Sequence, residues 1–160
     1  MHWRGHVGIA LLAYAPAASA VRAAGEPGLA TLGAVVAVAF ATLPDADHWL
    51  PIAHRGPTHT VAFAVLTGAF TALAAALVFP ARGGVALPPW TPAFVGGVAT
   101  LSLCSHVAGD AITPMGIWPF RPLSERHVTL DLTPAANPRA NGLFLGVGVA
   151  ALALSVALTL

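Results

Sequence analysis

At 160 residues, the chain is 57% hydrophobic and 8% charged with a mean hydropathy of +0.79, a composition suited to lipid rather than water as its solvent. A net charge of +1, with seven Arg and no Lys, leaves no basic face and excludes a nucleic-acid partner. Cys104 is the single cysteine, which rules out an intramolecular disulfide and any cysteine-based metal cluster.

Taken in order, the chain reads as one integral membrane domain over 1–160, an all-α polytopic helix bundle of about five spans. The first apolar run covers 7–24, follows Arg4 and His6, and holds Pro16, which should kink it. The same stretch also has the form of a signal peptide, with Ala18-Ser19-Ala20 as its cleavage site and His6 lost on cleavage. The second run, 28–43, stops at Pro44. The third, 60–80, carries no charge, and Thr58 is placed to cap it. After a Gly- and Pro-rich turn at 82–89 comes the fourth run, 91–112, with His106 and Asp110 toward its end. Residues 113–139 hold five Pro and are too broken to span, so an interfacial flap is expected there. The fifth run is 140–160. Gly33, Gly68, Gly96, Gly97, Gly146 and Gly148 suit close helix–helix contact in lipid.

Polar residues are rationed and clustered. Asp45, Asp47, His48, His54, Arg55 and His59 fall between positions 45 and 59, and His106 and Asp110 form a second knot. Alternating spans bring all of them, with His6, to the same membrane face. His106 and Asp110 are spaced i, i+4, so their side chains lie one turn apart on one side of a helix. Asp45, Asp47 and Asp110 are expected near helix C-termini, where the dipole disfavours a carboxylate by about 0.3–1 kcal/mol. Burial near lipid costs on the order of 2.5–3.5 kcal/mol more at the bilayer centre. A divalent cation reverses both penalties, and a mixed His/Asp set suits zinc first, with manganese or iron as alternatives. His6, Asp45, His54, His59, His106 and Asp110 are the candidate ligands, enough for one or two ions. Asp47 and His48 are candidate proton carriers, and Arg55 is a candidate clamp for a phosphate or carboxylate. The Arg count, five toward the site face and two (Arg22, Arg82) toward the other, orients the site to the cytoplasm.

These residues resemble the YdjM-type family of membrane-bound metal-dependent hydrolases. The resemblance runs from His6 through Leu43-Pro44-Asp45-Ala46-Asp47-His48, His54-Arg55-Gly56-Pro57-Thr58-His59 and Ser105-His106-Val107-Ala108-Gly109-Asp110-Ala111-Ile112-Thr113 to Pro119-Phe120. It implies an inner-membrane location and His6, Asp45, His59, His106 and Asp110 as the core metal set. The His-x-x-x-Asp pair is also similar to the ligand pair of zinc-dependent phospholipase C, which implies a phosphoester substrate. The expected function is therefore a membrane-embedded hydrolase in which a metal-activated water attacks a phosphoester or similar bond of a lipid or membrane-proximal substrate. The rival expectation is a divalent-metal transporter or metal-sensing membrane protein with no hydrolytic activity.

Overall fold

The computed structural model describes residues 1–79 and 87–159. Residue 80, most of the 82–89 turn with Arg82, and residue 160 lie outside the described residues. Five helices carry the chain: α1 (Trp3–Ala23), α2 (Pro27–Phe40), α3 (Val61–Val78), α4 (Thr91–Ala111) and α5 (Pro138–Ala157). Two 3-10 helices, Leu43–Trp49 and Pro57–His59, fill the connection between α2 and α3. Among the described residues there is no strand, and Ile117 and Val128 form an isolated antiparallel bridge.

Four segments are long and apolar enough to cross a membrane: Pro27–Trp49, Val61–Val78, Thr91–Ala111 and Pro138–Ala157. With 21 residues, α1 has the length, about 31 Å at 1.5 Å per residue. Its apolarity is diluted by Arg4, His6 and Arg22, so the expected five spans become four strongly apolar segments and one weaker helix.

Local chemistry sets the helix starts. Pro occupies the first turn of α2, α4 and α5, where its missing N–H costs nothing. Asn137 caps α5 by accepting from the Arg139 and Ala140 amides. The cap of α3 is Thr60, whose hydroxyl accepts from the Phe63 amide at 3.1 Å, not the expected Thr58. Thr58 is drawn instead to a buried carboxylate, donating to Asp47 Oδ2. α2 ends at Phe40, earlier than the expected 43, so Asp45 and Asp47 sit on a 3-10 helix and not at an α-helix end.

α1 is central, packing on α5, α2 and α4, while α3 packs mainly on α4. α1 and α5 run parallel: the His2 amide donates to Asn141 Oδ1 at one end, and Arg22 Nε donates to Thr159 Oγ1 at the other. In lipid, helices gain little from expelling solvent and associate through close backbone contact. That contact is direct here. A Cβ on Gly148 would lie 2.1 Å from the Gly8 carbonyl oxygen, and one on Gly96 would lie 2.5 Å from that of Gly68. Gly97 and Gly146, also expected at contacts, face open space.

The segment after α4 folds back on it. Leu130 and Leu132 amides donate to the Ala111 and Ile112 carbonyls, and Thr129 Oγ1 donates to the Thr113 carbonyl. These bonds satisfy acceptors that a helix C-terminus leaves unpaired and hold the Asp110 turn in place. The starts of α1 and α3 and the ends of α2 and α4 thus converge at one end of the bundle.

Candidate metal centre

Four ring nitrogens and carboxylate oxygens converge at that end. His59 Nε2 lies 3.2 Å from His106 Nε2, 3.4 Å from Asp45 Oδ1 and 3.4 Å from Asp110 Oδ2. His106 Nε2 lies 3.5 Å from each of the same two oxygens. Five edges of a four-atom polyhedron therefore fall between 3.2 and 3.5 Å. His59, His106 and Asp110 are fully buried, whereas the Asp45 side chain is 26% exposed.

The tautomers follow from the partners on the far side of each ring. His106 Nδ1 is 2.7 Å from the Ala41 carbonyl oxygen, which can only accept, so Nδ1 carries a proton and in the neutral ring Nε2 is bare. His59 Nδ1 faces Asp47 Oδ2 at 3.3 Å and Thr58 Oγ1 at 3.0 Å, and the Thr58 hydroxyl itself donates to Asp47. Nδ1 of His59 is thus the protonated nitrogen too. With both rings neutral, two bare imidazole nitrogens then face each other beside two carboxylate oxygens, a set of four lone-pair donors. Asp110 Oδ2 accordingly has no hydrogen-bond partner. This donor set, two imidazole nitrogens and two carboxylate oxygens with Asp110 Oδ2 unpaired, fits a divalent cation.

The remaining candidates fall around this cage, and His6 also brings a ring nitrogen within 4.8 Å of ligand atoms of Asp45, His106 and Asp110. His6 stacks on His106 with ring centroids 3.6 Å apart. Its Nε2 bonds to the Met1 carbonyl at 3.0 Å and lies 3.5 Å from Asp110 Oδ1, while its Nδ1 is buried without a partner. The Met1 amine also bonds to Asp110 Oδ1. Arg55 is turned inward: Nη2 donates to Asp110 Oδ1 at 2.8 Å, and Nη1 donates to Thr113 Oγ1 and to the Gly116 carbonyl. It adopts a φ of 57°, a left-handed conformation stabilised by its amide bond to Asp47 Oδ2. His48 and His54 are not in the cage. Their Nδ1 atoms lie 3.2 and 2.9 Å from Asp47 Oδ1, and both rings are partly exposed.

Sequence reasoning placed His6, Asp45, His59, His106 and Asp110 together, and the structure brings them together. It gave Thr58 only a capping role and gave no separate role to Thr113, Met1 or the Ala41 carbonyl. Backbone acceptors carry no side-chain signal, and a lone Thr has no spacing to betray it. Asp47, expected as a proton carrier, is buried behind His59 and accepts from the Arg55 amide, Thr58 and His54. Its position orients an imidazole. Asp47→Asn should therefore weaken metal affinity by roughly 10–100-fold, the usual cost of losing a carboxylate behind a ligand His. Competition with a chelating indicator would measure it, and an unchanged dissociation constant would contradict the assignment.

The family model described as YdjM inner membrane protein matches residues 1–160, the whole chain. No curated protein and no solved structure matches it.

Proposed function

This chain belongs to the YdjM inner membrane protein family, and from that premise we propose that it is a metal-dependent hydrolase of phosphoesters at the membrane surface. The observation that carries the reading is the four-atom cage of His59, His106, Asp45 and Asp110. A tetrahedral zinc with bonds of about 2.0–2.1 Å needs ligand atoms roughly 3.3–3.4 Å apart, which is the spacing present before any ion is added. When bound, a divalent ion polarises a phosphoryl oxygen and supplies hydroxide from water near neutral pH.

The chain's own residues do the rest. Asp45 is the exposed member of the cage and lines a cleft of about 860 Å3, so solvent and substrate reach the cage along its edge. His48, His54 and Arg55 also line that cleft, and Trp3, Trp49 and Met115 give it apolar walls. Polar groups beside an apolar wall suit an amphiphilic, membrane-proximal substrate. His48 is exposed, with Nδ1 2.9 Å from the Asp45 carbonyl, and can move a proton between the cleft and bulk water. Arg55 has Nε unpartnered and supplies a fixed positive charge beside the cleft. The Arg residues at this end (Arg4, Arg55, Arg121, Arg126, Arg139) orient it toward the cytoplasm.

The test is phosphate release from p-nitrophenyl phosphate and from phosphatidic acid by protein reconstituted in nanodiscs. Release should require metal, stop on chelation and return with zinc. No turnover of either ester by fully zinc-loaded protein would sink the proposal. One observation favours a metal transporter: four protein donors already close around the ion position, whereas catalytic zinc keeps a position open. Zinc uptake into proteoliposomes without ester hydrolysis would favour that second reading.

A further inference from the structure

We propose a second, outer divalent-cation site, formed by Asp45, Asp47, His48 and His54 and sharing Asp45 with the buried cage. One ligand atom from each of these four residues lies within 4.8 Å of every other. The His48 and His54 Nδ1 atoms converge on a single oxygen, Asp47 Oδ1, at 3.2 and 2.9 Å, with the two ring centroids 4.0 Å apart. Asp47 uses its other oxygen, Oδ2, on His59 and the Arg55 amide, so its two oxygens face the two sites separately.

Access supplies the independent argument. His6, His59, His106 and Asp110 are sealed, with side chains at most 1% exposed. Asp45 is the ligand through which the cage meets the cleft, and Asp45 belongs to both groups. The outer group lines the same cleft as Asp45, and its imidazoles are partly open to solvent, which puts them beside the approach to the cage. An ion in the outer group requires the proton that His54 Nδ1 shares with Asp47 Oδ1, and that His48 Nδ1 shares with the Asp45 carbonyl, to move to Nε2. Water accepts it there, and Nδ1 becomes the donor atom. Two dications sharing one carboxylate repel each other, which makes the outer ion the weaker and the more exchangeable.

The experiment is titration of metal-free protein with Co2+, reading ions bound per chain by elemental analysis and inner occupancy by the absorption of tetrahedral cobalt. Wild type should saturate at two ions. The double variant His48→Ala/His54→Ala should saturate at one and keep the tetrahedral absorption, since both rings are partly exposed and their loss leaves the buried cage intact. Saturation of wild type at one ion overturns the proposal. So does a double variant that still binds two ions, or one that loses both together. None of these outcomes depends on hydrolysis.

Discussion

His106→Ala should abolish metal binding at the proposed centre. The imidazole supplies one of four converging donors, and its other nitrogen bonds to the Ala41 carbonyl, so the substitution removes a ligand atom and leaves Asp45 and Asp110 closer to bare. Loss of a direct ligand exceeds the roughly 10–100-fold cost of losing a supporting group, so affinity should fall by at least about 100-fold. Elemental analysis of purified protein reads this directly. Asp110→Ala should do the same, with an added loss of stability because Arg55 and the Met1 amine lose their shared partner. The control is His127→Ala. His127 lies in the segment after α4, its Nε2 on the Met115 carbonyl, and its loss should leave metal content unchanged. Equal metal in wild type and His106→Ala would remove the centre altogether.

Arg55→Met should destabilise the metal-free protein far more than the loaded one. The Arg55 and Asp110 side chains are 5% and 1% exposed, and their ion pair spans 2.8 Å. Breaking a buried pair by deleting one partner costs about 3–5 kcal/mol, because the surviving charge keeps its desolvation penalty. Met matches the length of the aliphatic stem but leaves Thr113 Oγ1 and the Gly116 carbonyl without their donor, and leaves Asp110 Oδ1 with the Met1 amine alone. A divalent ion at the cage would restore most of the lost compensation at Asp110. Thermal unfolding in detergent, with and without zinc, separates the two states. Equal melting of metal-free wild type and variant would show that the guanidinium is not the counter-charge proposed.

The Arg55 geometry also changes the meaning of a sequence feature. An Arg between two His in a nearly uncharged chain suggests a substrate clamp, and the spacing of residues 54–59 gives no means of telling which way it points. The left-handed turn at residue 55 and the folded-back 113–116 segment decide that. They commit both terminal nitrogens to Asp110, Thr113 and Gly116. Asp47 has a similar history. Asp-x-Asp places two carboxylates close together, but the 3-10 helix from Leu43 to Trp49 sends them to different work: Asp45 to the cage and Asp47 to the back of His59.

By itself, the sequence determined that this protein is an all-helical membrane bundle and that its scarce His and Asp residues meet at one end. Apolar run length and the cost of charge in lipid leave little else open, and alternation of spans then dictates which polar residues share a face. What the tertiary structure decided is which of those residues converge in the His/Asp cage and which support, neutralise or border it. That division depends on ring tautomers, on carbonyls freed where α2 ends, and on the segment folded back over α4. Each arises from contacts between distant parts of the chain, which leave no periodicity or spacing for the sequence to display.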